Sequence, residues 1–199
     1  MKSASVQSKN YLYEYLIHAP ASLALLRAIE CRELDDLAVE RPLFERPMLD
    51  LGCGDGLFSQ VFFDQKPDLG LDYSRYELRT AASRDACRSF VQGDIAAIPC
   101  PDSAFVSIFS NGVLEHVGDL PQGLREIARV LRPGGRLIMT VPTMASELEM
   151  SGAALLRGLG LKSLAQRYAD RYNRAFGQIN VYSLEVWRDL LAANGLRLV

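Results

Sequence analysis

The stretch LDLGCGDG at 49–56 sets three glycines, Gly52, Gly54 and Gly56, at alternate positions behind a short apolar run. Gly52 lets the chain turn sharply, and Gly54 and Gly56 are expected to leave no side chain between backbone and ligand. A helix starting near Asp55 would aim its free amides at whatever the loop holds. Two more carboxylates close later apolar runs, Asp72 in GLDYS and Asp94 in QGDI. A carboxylate can accept from two donors at once, which suits a diol or an amine. Such loops serve hydride, phosphoryl and methyl transfer, and neighbouring residues separate the three. A phosphate loop needs lysine and then serine or threonine after its last glycine, where this chain has Leu57-Phe58. A nicotinamide loop needs a glycine where Leu57 stands, and Asp55 at the helix start is awkward for a pyrophosphate.

Positioning these residues requires strands that end where the glycines and carboxylates begin. Apolar runs at 48–51, 69–73, 89–93, 105–110, 136–141 and 196–199 read as strands, and 55–64, 75–84, 120–131 and 183–193 as helices. Alternation of this kind predicts an α/β fold, a doubly wound, mostly parallel sheet with helices on both faces. In the 120–131 helix Leu120, Leu124, Ile127 and Leu131 form the apolar stripe, and Pro133-Gly134-Gly135 turn the chain onward. Ahead of the sheet, Ser22 can cap a helix to Leu37, with Leu23, Leu26, Ile29, Leu34 and Leu37 as its packed stripe.

We read residues 1–199 as one domain: an N-terminal helical segment 1–46, a cofactor-binding core 47–142, an insertion 143–182 and a last helix and strand 183–199. The insertion is too long for an ordinary connection and reads as a lid or substrate-binding element. Tyr168, Tyr172 and Phe176 recur there every four residues and are the candidate substrate-binding side chains, although such a stripe also suits a core.

LDLGCGDG resembles, nearly residue for residue, the first motif of class I S-adenosylmethionine-dependent methyltransferases. The resemblance extends over roughly 47–142 and more loosely over 183–199, with LRPGGRLIMTVP at 131–142 similar to the family's passage into its fifth strand. It implies S-adenosylmethionine as methyl donor and S-adenosylhomocysteine as product. Cofactor contacts are then implied at Gly52, Cys53, Gly54 and Gly56, with Asp50 orienting the ammonium. Asp72 would accept both ribose hydroxyls, Asp94 the adenine amine, and Tyr73 and Ile95 would sandwich the ring. Asn111 and Gly112, in SNGVLEHV, would rim the methionine portion, with Val113 lining the methyl channel. The chain has no Asn/Asp-Pro-Pro-aromatic motif after strand four, which points away from exocyclic-amine methylation of DNA and toward O- or C-methylation of a small molecule. His116 is the candidate general base, since histidine as a residue type titrates near neutrality. The family closes its sheet with an antiparallel seventh strand, and this chain is expected to lack it, either as a fragment or because a second copy fills the edge as a homodimer.

The bulk numbers narrow the partners. Net charge is −2 over 199 residues, so nucleic acid is not expected. Cys31, Cys53, Cys87 and Cys100 are scattered and only two histidines are present, so we expect no metal site, reduced thiols and a cytoplasmic protein. Arginines and leucines across 155–176 leave room for peripheral membrane contact. A nicotinamide-dependent oxidoreductase and a non-catalytic methyltransferase-like binding module are the alternative readings.

Overall fold

The computed structural model describes residues 9–40, 42–142, 151–175 and 177–197. Two helices, α1 (Tyr11–Leu16) and α2 (Ala21–Glu40), precede the sheet. Then come β1 (Met48–Leu51), α3 (Leu57–Phe62), β2 (Leu69–Asp72), α4 (Arg75–Ser83), β3 (Phe90–Gln92), β4 (Phe105–Asn111), α5 (Leu120–Val130) and β5 (Leu131–Thr140). A helical pair, α6 (Ser151–Gly158) and α7 (Lys162–Ala175), is followed by α8 (Leu184–Ala193). The strands order as β3-β2-β1-β4-β5 and every pairing is parallel, so among the described residues the sheet has no antiparallel strand.

That order reverses between β1 and β4, where crossovers to left and right diverge and leave a crevice beyond the strand ends. The glycine loop follows β1 and the Asn111 turn follows β4, so both open into that crevice. Strand pleating divides the core. Leu49, Leu51 and Ile108 face the α5–α8 side with Leu124, Ile127, Trp187 and Leu191, while Met48 and Phe109 face α1, α2 and α3. On the second side Phe44, Phe58, Phe62, Phe63 and Phe109 stack and edge against one another at 5.0–5.8 Å between centroids.

Three expectations change. In α2 the buried positions are Ala24, Ala28, Cys31 and Leu34, while Leu23, Leu26, Ile29 and Leu37 are exposed. Small side chains let α2 sit tightly against the rings of α1, where Tyr15 Oη lies 3.9 Å from Cys31 Sγ; a leucine face would hold the helices apart. Strand β5 begins at Leu131 rather than 136, because Phe105 pairs with Leu131 before the register shifts at the glycines. Gly135 is needed at that shift: a Cβ there would stand 2.7 Å from the Val106 carbonyl. Finally, Leu196 and Arg197 are not in a strand, and 198–199 lie outside the described residues. The last helix ends as expected, with Ser183 accepting from Val186 N at 3.4 Å and Gly195 left-handed after Asn194.

Candidate active site

β1 delivers Asp50 from a fully buried strand into a hydrogen bond with Ser59 of α3. Burial pushes the pKa of this carboxylate up to about 7, partly offset by the Ser59 hydroxyl. The chain then turns at Gly52, whose N–H, like that of Cys53, donates to the Leu71 carbonyl of β2. The three loop glycines do different work. A Cβ at Gly52 would stand 2.5 Å from Val113, and one at Gly56 would stand 2.5 Å from Ala86, so both are needed for packing. Only at Gly54 is there nothing within 4 Å. The expectation that Gly56 faces a ligand is therefore revised: it packs against the end of α4, and it does not line the cavity.

Asp72 ends β2 with Oδ2 accepting from Gly54 N at 2.9 Å and Oδ1 from Ser74 N at 2.8 Å. Each oxygen keeps lone-pair capacity for a further donor. Tyr73, next in sequence, is 80% exposed and stands free over the crevice. After β3, Asp94 accepts from Ala96 N at 2.8 Å and Ile95 is buried. Helix α5 holds this loop: Gln122 Nε2 donates to the Ala96 carbonyl, Glu126 accepts from Ile98 N, and Arg129 donates to the Ile98 carbonyl.

β4 ends at Asn111, and Gly112 and Val113 lead into a single helical turn, Leu114–His116. Residues from the far end of the insertion fasten this turn. Ile179 N and Asn180 N donate to the Glu115 carbonyl, and Asn180 Nδ2 donates to the Leu114 and Val117 carbonyls at 2.9 and 2.7 Å. His116 Nδ1 lies 3.0 Å from the Gly177 carbonyl, which can only accept. Nδ1 is therefore the donor of that contact, and Nε2 lies 3.9 Å from Glu115 Oε1. Glu115 is buried, its Oε2 lacks a partner among the described residues, and burial raises its pKa.

These elements enclose one cavity of about 930 Å³, lined by Asp50, Gly52, Cys53, Gly54, Asp72, Tyr73, Asp94, Ile95, Asn111, Gly112, Val113 and His116. Its other wall comes from the N-terminal helices, with Tyr15, His18, Leu23 and Arg27. Arg27 carried no motif and was not singled out from sequence; its proximity to Asn111 is a tertiary fact. Tyr168 does not line the cavity and is exposed; Phe176 and the side chain of Tyr172 lie outside the described residues. Among the described residues no three His, Cys, Asp or Glu side chains group to hold a metal ion. The cavity thus presents an open glycine turn, the Asp72 carboxylate beside it and the exposed Tyr73 ring.

Residues 49–139 match a protein-family profile described as a methyltransferase domain. A malonyl-[acyl-carrier protein] O-methyltransferase of Serratia marcescens is 36% identical over 107 residues, 53% of this chain and 42% of that one. The protein of the same name from Enterobacter lignolyticus is 33% identical over 72% of this chain and 57% of its own length. The chain thus spans about half the length of the curated relatives it matches. In fold it is similar to a SAM-dependent methyltransferase from Thermotoga maritima, with a TM-score of 0.61 at 20% identity over 92% of this chain and 79% of that one. A Haloferax volcanii methyltransferase, solved with the Trm112 methyltransferase activator, gives 0.63 at 22% identity over 83% and 68%.

Proposed function

We infer that this chain is a class I S-adenosylmethionine-dependent methyltransferase and transfers the cofactor's methyl group to an oxygen or carbon of a small molecule. The observation that carries the reading is the convergence of Asp50, Asp72 and Asp94, from three successive strand ends, on one cavity around the open Gly54 turn. Asp72 takes the ribose hydroxyls, Asp94 and Ile95 the adenine with Tyr73 over its outer face, and Asp50 the ammonium end. The cofactor supplies an electrophilic methyl on a sulfonium. The chain holds acceptor, methyl and sulfur in line and excludes water behind the α1–α2 wall.

Once bound, that methyl would accept an electron pair from the acceptor, and the carbon–sulfur pair would go to sulfur. A hydroxyl or carbon acid must also lose a proton, and His116, on the cavity wall with Nδ1 held by the Gly177 carbonyl, receives it at Nε2. A carboxylate acceptor needs no base. The malonyl O-methyltransferase names of the relatives favour oxygen, and an acid oxygen first. All four cysteines stand as free thiols, which supports a reducing, cytoplasmic setting. Leu155, Leu159 and Leu164 are exposed beside Arg157, Lys162 and Arg167 and support peripheral contact of α6–α7 with an anionic membrane surface; flotation with phosphatidylglycerol vesicles tests it. The outer edge of β5 would serve a homodimer, which sedimentation would show.

The central test pairs calorimetry with turnover. S-adenosylhomocysteine should bind and NADH should not, and radiolabelled methyl should pass to malonyl-N-acetylcysteamine, a soluble thioester ending in a carboxylate. Binding of NADH without adenosylhomocysteine would overturn the reading in favour of an oxidoreductase. Cofactor binding without transfer to any hydroxyl, acid or carbon-acid acceptor would favour a binding module.

A further inference from the structure

The cavity wall has an uneven charge distribution that the cofactor contacts leave unexplained. Asp50, Asp55, Asp72, Asp94 and Asp119 line it, and among its described lining residues Arg27 is the only lysine or arginine. Arg27 is thus the guanidinium or ammonium group there with which a ligand carboxylate could pair, although Glu30 already takes one edge of it. The guanidinium is aimed for such a contact. Its Nη1 donates to Glu30 at 2.7 Å and to Asn111 Oδ1, and its carbon lies 5.9 Å from the centre of the Phe58 ring. Nε and Nη2 have no hydrogen-bond partner among the described residues, and Nη2 stands over Gly112, 3.6 Å from where a Cβ would be. A glycine at 112 leaves room under that edge, which Glu115 Oε1 borders from the other side, also 3.6 Å from where a Cβ would be.

We propose that Arg27 is the carboxylate receptor of the cavity, binding a ligand carboxylate through Nε and Nη2 while Glu30 and Asn111 fix its plane through Nη1. The arrangement is suited to arginine: a planar fork offers parallel donors to a carboxylate while a third N–H stays anchored. Two carboxylates can reach this edge, that of the cofactor's methionyl group and that of an acidic acceptor. The proposal rests on the methyltransferase reading above and adds to it the residue that reads the acid. Arg27 lies outside the 49–139 match, on the helix that walls the cavity.

The test compares wild type with Arg27→Gln and Arg27→Lys, using S-adenosylhomocysteine, 5′-methylthioadenosine, which lacks the amino-acid carboxylate, and malonyl-N-acetylcysteamine added to the adenosylhomocysteine-loaded protein. If the cofactor's carboxylate is bound, Arg27→Gln weakens adenosylhomocysteine by roughly ten- to a hundredfold and leaves methylthioadenosine unchanged. If the acceptor's is bound, both nucleosides are unchanged and malonyl-N-acetylcysteamine binding is lost. In either case Arg27→Lys retains part of the affinity, and Glu30→Gln, which removes the competing carboxylate, tightens the same ligand. Equal loss of both nucleosides would make Arg27 a support of the fold, and no change in any ligand would leave it without a binding role; each overturns the proposal. A wild type that binds neither nucleoside would overturn the methyltransferase reading, and this one with it.

Discussion

At the level of single residues, charge and burial decide more than motif membership. Asp50 has a folded-state pKa near 7 against about 3.9 unfolded, so protonation favours the folded chain. Its contribution to stability is complete below about pH 4 and is lost as pH rises through 7. Asp50→Asn should therefore stabilise the ligand-free protein at pH 8, by roughly 1–3 kcal/mol in urea titrations. The cofactor's ammonium favours the ionised form, so adenosylhomocysteine affinity should rise with pH up to about 7 and then level off, and Asp50→Asn should flatten that profile. Asp72→Ala should cost about 1–3 kcal/mol of adenosylhomocysteine binding by calorimetry. Asp50, Asp72 and Asp94 were legible from sequence because each follows an apolar run at a strand end. Arg27 was not, because nothing local distinguishes it from a surface arginine of a polar helix face.

Elements show where identical residues carry different duties. Gly54 and Gly56 look interchangeable in LDLGCGDG, yet one faces open space and the other Ala86. Gly54→Ala should lose only the cost of a left-handed alanine, about 1 kcal/mol, while adenosylhomocysteine binding falls sharply. Gly56→Ala should instead destabilise the ligand-free fold by several kcal/mol in denaturant, since its methyl meets the Cβ atoms of Ala81 and Ala86. The α2 stripe was misread for a related reason. Leucine recurs at helical spacing on more than one side of that helix, and only the rings of α1 and α3 select the alanine–cysteine side. By contrast α5 was plain from its pattern: Pro133 and two glycines bound a strongly amphipathic run, and Leu120, Leu124 and Ile127 are all buried as expected.

On the scale of the whole molecule, the strand order brings residues nearly 90 positions apart around one crevice, from Arg27 to His116. Adenosylhomocysteine at a hundred times its dissociation constant should stabilise the protein by about 2.7 kcal/mol, and a thermal scan at fixed protein concentration reads this directly. Alternation of strands and helices made the sheet predictable, whereas the tie between the insertion and the β4 rim depends on where a distant segment returns. That tie runs through Gly177, Ile179 and Asn180, which hold the backbone and ring of residues 114–117. With the insertion as the proposed acceptor side and the β4 rim as the proposed donor side, the two would share one stretch of main chain. A lineage that altered its acceptor through 177–180 would carry its donor affinity along with the change.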